Sequence, residues 1–153
     1  MNRNRQSTGL SPIARLTIGL EVFLSIGALA GGLALIVGPR GEILPLKVTA
    51  LAGSPFDTYF VPGAILFVVI GLGPLGAAVL GWARRPIAPL AGLITGVGLL
   101  IWLIVEIGIV GYTSDPPLQL LYLVLGVAIV GAALRWSGFG PADRLRAGRK
   151  VGL

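Results

Sequence analysis

Two carboxyl groups, those of Glu21 and Glu106, are the best candidates for chemistry in this sequence, because each interrupts a long apolar run. A charge inside a membrane costs at least about 2.5 kcal/mol, so such residues commonly bind protons, ions or polar ligands. Glu21 lies six residues after Arg15, and Glu106 lies six residues before Tyr112. At 1.5 Å per helical residue, roughly 20 Å along the membrane normal separates the two carboxyls, which excludes a catalytic acid pair.

Glu106 has three potential polar partners at a similar depth. Trp102 is at i−4, one helical turn away on the same face. Gln119 and Tyr122 enter the membrane from the same side on the following apolar run. Glu106, Trp102, Tyr122 and Gln119 therefore form a candidate polar pocket. It is either an outward-facing site for a lipid headgroup, an ion or a proton, or a hydrogen-bonded clamp between two helices.

Glu21 belongs to a second polar feature, a stripe formed by Thr17, Glu21 and Ser25 at spacings i, i+4 and i+8. One interpretation is a polar vestibule or proton site that faces the cytoplasm. The other is a carboxyl near the interface that is wetted, or is paired with Arg15 or Arg85 by snorkelling.

Composition removes most other chemistry. The chain has no cysteine and no histidine, and Met1 is its only methionine. Disulfides, thiol nucleophiles, Cys/His metal sites, His-ligated haem and the commonest general base are thereby excluded. We therefore predict no catalytic residue, no metal site, no cofactor and no enzymatic activity.

The elements that carry these residues are four apolar runs. Only 12% of the 153 residues are charged, about half the usual share in a soluble domain. Roughly 20 apolar residues cross a bilayer core of about 30 Å. The sequence predicts an all-α membrane protein, a four-transmembrane-helix bundle in which Pro74 kinks the second helix. The predicted segments are a cytoplasmic arm at 1–15, spans at about 16–37, 62–83, 87–112 and 118–134, and a basic cytoplasmic tail at 135–153. The external loop at 38–61 is either a short strand or a turn along the interface.

The distribution of Lys and Arg predicts the orientation. Arg3, Arg5 and Arg15, then Arg84 and Arg85, then the tail residues fall on one side of a four-span bundle, and only Arg40 and Lys47 fall on the other. Both termini are therefore expected in the cytoplasm, in the plasma membrane, the inner membrane of a bacterial cell. The net charge of +6 predicts contact between the basic tail and anionic lipid rather than nucleic acid, since the tail lacks interleaved aromatic residues.

Small residues recur at four-residue spacing in every span, where they allow helix backbones to approach closely. They serve either packing within the bundle or a face left for self-association or for another membrane protein. These predicted packing residues are Gly27, Gly31, Gly73, Ala77, Gly81, Ala88, Gly92, Gly96, Ala128 and Ala132.

Two family resemblances accompany these patterns. The four spans, the sequence GSPFD at 53–57 with Tyr59, Pro62 and Gly63, and GLGP at 71–74 resemble a group of uncharacterised small four-helix bacterial integral membrane proteins, which implies the architecture alone. Glu21 in the first helix, within Leu20-Glu21-Val22, more weakly resembles the small multidrug resistance transporters. Their short loops and the small residues after their glutamate are replaced here by a long first loop and Phe23-Leu24-Ser25.

The sequence thus leads to one functional prediction and one alternative. The leading prediction is a non-enzymatic structural or accessory subunit of a membrane assembly. The alternative is a small proton-linked transporter or a lipid-binding membrane protein that uses Glu106 or Glu21.

Overall fold

Four helices dominate the computed structural model, which describes residues 9–44, 46–112 and 117–138. They are α1 (Pro12–Val37), α2 (Phe60–Trp82), α3 (Ala88–Val110) and α4 (Leu118–Trp136). Over these residues the fold is all-helical and has no strand. Each helix is long and apolar enough to cross a membrane, since 19 to 26 residues at 1.5 Å each match a core of about 30 Å. The chain is a multi-pass membrane protein.

The first and last helices extend beyond the predicted spans. α1 begins at Pro12, because Ser11 caps it: the Ser11 Oγ accepts the Ala14 amide at 3.2 Å, and Pro12 needs no amide partner in the first turn. α4 continues to Trp136, so its end includes two residues that we assigned to the tail. The rest of the predicted arm and tail, at 1–8 and 139–153, lies outside the described residues.

The segment between α1 and α2 contains a 3₁₀ turn at Val48–Leu51, and the strand we considered there is not found among its described residues. The hydrogen bonds within the turn itself are local, such as that from the Ala50 amide to the Lys47 carbonyl at 3.0 Å. Leu51 is buried and anchors the turn against the helices. The segment is therefore a cap across one end of the bundle.

α2 is interrupted by a π-helical stretch at Leu66–Leu72, which directly precedes Gly73 and Pro74. Proline has no amide hydrogen, and its ring clashes with the carbonyl four residues earlier, so the regular hydrogen-bond ladder cannot continue through it. Wider π turns commonly occur where that ladder breaks. The Ser25 hydroxyl on α1 donates to the Gly71 carbonyl in this stretch at 2.7 Å.

We call the end of the bundle with Arg15, Arg84, Arg85 and Arg135 the arginine end, and the end with residues 38–59 the loop end. α1 contacts α2 along most of its length and also contacts α4, which packs closely against α3. α2 reaches α3 mainly through Gly73–Trp82, in the arginine-end half, whereas the Val48–Leu51 turn contacts α3 at the loop end. The bundle is therefore closed at the arginine end and spread apart at the loop end.

Candidate functional site

A cavity of about 820 Å³ occupies the loop-end half of the bundle and is lined by all four helices. Its floor is formed by the apolar core, in which Leu24 and Leu99 also line the cavity. Pockets of roughly 300–1,000 Å³ with mostly apolar walls and a few polar groups are typical binding sites for small molecules. This cavity is the candidate functional site.

The capping segment closes the cavity over its loop end. Tyr59, Leu51 and Leu35 form a small buried cluster. The Tyr59 hydroxyl donates to the Lys47 carbonyl at 3.0 Å, and the Tyr59 amide donates to the Pro39 carbonyl at 2.8 Å. Burial raises the pKa of the Tyr59 phenol above its usual value, so the group remains a neutral donor. Two hydrogen bonds of Tyr59 therefore hold the capping segment in this conformation.

All four residues of the predicted polar pocket line this cavity: Glu106, Trp102, Tyr122 and Gln119. Gln119 Nε2 donates to Glu106 Oε1 at a long 3.4 Å, and it donates to the Gly111 carbonyl at 3.1 Å. Gln119 is buried, whereas Glu106 is only partly buried. The Glu106 carboxyl therefore lies on the wall of the cavity, and its hydrogen bond to Gln119 of α4 is long and weak.

Exposed residues of α2 and α3 are part of the cavity lining. Ile65 on α2 and Val105 on α3 both line it, and they are 36% and 47% exposed. Val105 lies five residues before the end of α3, about 7.5 Å inside the helix end. These two residues place part of the lining at the depth of the lipid chains, and other exposed lining residues lie in the capping segment: Leu46, Lys47 and Ala50.

The predicted polar stripe lies outside this cavity, in the arginine-end half. Thr17, Glu21 and Ser25 are each fully buried. The Thr17 hydroxyl donates to the Ile13 carbonyl at 2.9 Å. Within the described part of the chain, neither carboxyl oxygen of Glu21 has a hydrogen-bond partner. Glu21 is therefore enclosed among the helices and has no arginine partner among the described residues, and the two interpretations of the stripe stay predictions.

The predicted packing residues fall into four groups. Gly81, Gly92 and Gly96 lie against neighbouring helices, where an added Cβ would come within 2.7–2.8 Å of another side chain. Gly27 and Gly31 line the cavity, and an added Cβ on Gly27 would lie 2.6 Å from the Tyr122 hydroxyl of α4. Ala128 is on the exposed surface of α4. The remaining predicted residues, Gly73, Ala77, Ala88 and Ala132, lie in the bundle, Gly73 partly exposed and the three alanines buried.

Sequence reasoning missed several features of the site. Lys47, Leu51 and Tyr59 reach the cavity from the capping segment, and no periodic pattern marked them. Gly126 was also missed, although an added Cβ there would lie 2.8 Å from Leu100 Cδ2. A signal was present for Gly126, since it is four residues after Tyr122 on the same helix face.

No family model, curated protein or solved structure matches this chain. The resemblances described above consequently extend to a small four-helix membrane protein and no further. Geometry alone must indicate the function.

Proposed function

We propose that this membrane protein binds a lipid-like amphiphile in the loop-end cavity, with the hydrocarbon chain between the helices and the polar group beside Glu106. The observation that carries this proposal is the apolar cavity of about 820 Å³, on whose wall Glu106 is the one carboxyl among the described residues. It favours the lipid-binding alternative of the sequence analysis over the accessory-subunit role.

An entry between α2 and α3 would suit an occupant that arrives from the bilayer. Ile65 and Val105 flank it at a depth where the surroundings are hydrocarbon. The capping segment lines the cavity on the aqueous side through Leu46, Lys47 and Ala50. A water-soluble ligand would pass these residues, whereas a ligand dissolved in the membrane would enter past Ile65 and Val105.

Glu106 and Lys47 are the charged side chains that line the cavity among the described residues, and Glu106 is the one carried by a helix. A carboxyl is a strong hydrogen-bond acceptor, and charge-assisted hydrogen bonds are about twice as strong as neutral ones. The group beside it should donate hydrogen bonds, as an alcohol or a primary amine does. A long-chain carboxylate of the same length would place two acceptors together, so we expect it to bind more weakly.

The cavity contains its own reporter, because Trp102 lines it. The experiment uses the full chain in phosphatidylcholine nanodiscs with Trp82→Phe and Trp136→Phe, so that Trp102 is the only tryptophan. Terminally brominated long-chain alcohol, amine and fatty acid are the quenchers. We expect saturable quenching by the alcohol and the amine, and at least about tenfold weaker apparent affinity for the acid, a difference of about 1.4 kcal/mol.

The matched control retains Trp82, which is 75% exposed at the arginine end, and replaces the other two tryptophans by Phe. Its quenching should rise linearly as the probe partitions into lipid. Gly31→Leu should abolish the saturable component for Trp102, because residue 31 faces the cavity and its nearest neighbour, Leu66 Cδ2, is 3.6 Å from an added Cβ. Gly19→Leu, which has open space around it, should preserve it. Identical linear curves for both tryptophans would refute the binding site.

Glu106→Gln separates a ligand site from a clamp. If Glu106 holds the ligand, the substitution weakens binding of the amine probe with little change in thermal stability, since Gln119 still has the Gly111 carbonyl as acceptor. Glu106→Leu removes the acceptor that Gln retains for Gln119. If Glu106 only clamps α3 to α4, the melting temperature falls in Glu106→Leu but not in Glu106→Gln, and probe binding is unchanged in Glu106→Gln.

The accessory-subunit role, the plasma-membrane location and the orientation with both termini in the cytoplasm stay predictions from the sequence. Purification in nanodiscs at endogenous expression, with mass analysis of everything that accompanies the chain, tests the first. A stoichiometric second protein would support it, whereas a bound amphiphile alone would support the cavity proposal. Cysteine labelling from each side of intact cells tests the orientation, because the chain has no native cysteine.

A further inference from the structure

The Glu21 carboxyl has an unusual environment, because the side chain is fully buried and both oxygens lack a hydrogen-bond partner among the described residues. Burying an ionised carboxylate without a counter-charge is far more costly than burying the neutral acid. The enclosed geometry is therefore suited to the protonated group.

No described helix packed around Glu21 offers it a charge. On its own helix, the Thr17 and Ser25 hydroxyls donate to the carbonyls of Ile13 and Gly71. α3 presents Gly92, where an added Cβ would lie 2.7 Å from Glu21 Oε1, and the same notch is bordered by Ala133 of α4. α2 contributes the Gly71 backbone through Ser25. The nearest charged side chains along the described chain are those at the arginine end, Arg15, Arg84, Arg85 and Arg135, and all four are exposed.

A small depression at the arginine end borders the face of α1 on which Glu21 lies. Its volume is about 340 Å³, and it is lined by Ala14, Arg84, Arg85, Pro89 and Trp136, among others. Ala14 lies seven residues before Glu21 on the same face of α1, about 10 Å along the helix. Ala14 is 1% exposed and Thr17 is fully buried, so packed side chains separate the depression from the carboxyl.

We propose that Glu21 is an occluded proton-binding site, which exchanges its proton with water at the arginine end when α1 and α3 separate at Gly92. In the enclosed state the carboxyl is neutral. In the open state water reaches it through the depression, and the nearby arginine side chains stabilise the carboxylate.

The surroundings favour a proton over a metal ion. A hard cation requires about six or more oxygen ligands, whereas the Glu21 carboxyl with the Thr17 and Ser25 hydroxyls offers four side-chain oxygens at most. The described residues contain no group of three acidic, His or Cys side chains that could hold a metal. The Gly92 notch is also already filled by the carboxyl itself.

Infrared difference spectroscopy tests the protonation directly, because it needs no reagent to reach the site. The full chain in phosphatidylcholine nanodiscs is compared with Glu21→Gln across a pH series. We expect the wild-type protein to show the carbonyl band of a protonated carboxyl at neutral pH, and the band to disappear at higher pH. Absence of the band at neutral pH, or its persistence to the alkaline limit of the fold, would overturn the proposal. Glu106→Gln is the control and should leave the Glu21 band in place.

A single-cysteine assay tests the opening, and the native chain lacks cysteine. Ala14→Cys places a thiol at the buried side of the depression, and Pro86→Cys places one at its exposed rim. Labelling by a water-soluble maleimide is compared at one alkaline pH with and without Glu21→Gln. We expect Glu21→Gln to slow labelling in the Ala14→Cys variant at least about tenfold, or 1.4 kcal/mol in the opening equilibrium, and to leave labelling in the Pro86→Cys variant unchanged.

Equal labelling rates at position 14 in both backgrounds would refute the coupling between ionisation and opening. This outcome does not depend on the loop-end cavity, which uses different side chains, so failure here and failure of the amphiphile site are distinguishable.

Discussion

Gly32 on α1 lies directly against the backbone of Phe67 on α2: a Cβ on residue 32 would be 2.7 Å from the Phe67 nitrogen and 2.8 Å from its Cα. The contact is between main chains, so neither side can yield by a side-chain rotation. Gly63 is part of the same crossing, since an added Cβ there would lie 2.6 Å from Leu35 Cβ. α1 and α2 are therefore joined backbone to backbone beside the π-helical stretch.

Gly32→Ala should destabilise the bundle by about 1–3 kcal/mol, because the added methyl group forces the two backbones apart. Thermal unfolding in nanodiscs measures the effect. Gly19→Ala is the matched control on the same helix, since residue 19 has nothing within 4 Å. It should be neutral, or stabilising by up to about 1 kcal/mol through helix propensity. Equal melting temperatures for the two variants would contradict the close crossing.

Ser25→Ala should lower the free energy of unfolding by about 1 kcal/mol, because it removes the buried hydrogen bond to the Gly71 carbonyl. Ser137→Ala removes a hydroxyl that donates to the Leu134 carbonyl at 2.8 Å, but at an exposed position. We expect that control to change stability by less than about 0.5 kcal/mol. A loss of similar size at both serines would mean that the contact with the π-helical stretch contributes nothing specific.

Gly92→Ala should be mildly destabilising, because the new methyl group meets the end of a flexible side chain, Glu21, rather than backbone. In a Glu21→Ala background the clash is absent. The double-mutant cycle should therefore give a coupling of at least about 0.5 kcal/mol, measured by thermal unfolding. Gly98→Ala, at an open position on the same helix, should give no coupling with Glu21→Ala.

The cap should loosen at alkaline pH through Tyr59. Burial raises the pKa of its phenol above the usual 10.0, so the stability from the neutral group is fully present below pH 10 and is lost as pH rises through the folded-state value. Limited proteolysis of the 38–59 segment should accelerate above pH 10. The Tyr59→Phe variant lacks the hydrogen bond to Lys47, so the protease should cleave it faster at neutral pH. Its cleavage rate should no longer show the alkaline increase that ionisation of residue 59 causes. An unchanged alkaline increase would assign it to another group.

The four helices could be predicted because each apolar run has the length that a membrane crossing requires. The grouping of Glu106 with Trp102 followed from helical spacing, and that with Gln119 and Tyr122 followed from their common depth. Both groupings need only distances along a helix. They do not depend on how the helices are rotated relative to one another.

The rest depends on such rotation. Spacing places Thr17, Glu21 and Ser25 on one face of α1, but only the notch at Gly92 turns that face inward. The cavity exists because α2 meets α3 at the arginine end while the Val48–Leu51 turn occupies the loop end. Neither relationship between helices can be inferred from local sequence. For the segment at 38–61 the sequence left two alternatives, a short strand and a turn along the interface.

The π-helical stretch at Leu66–Leu72 also sets the phase of α2. A π turn takes up one residue more than an α turn, and one residue corresponds to about 100° of rotation. Everything after it is therefore rotated relative to an uninterrupted helix, which directs Ala77 and Gly81 into the bundle. Deleting one residue from the stretch would turn that small-residue face away from α1 and α3. The part of α2 that lines the cavity and the part that packs at the arginine end therefore differ in helical phase by about one residue, and the π-helical stretch between them accommodates the difference.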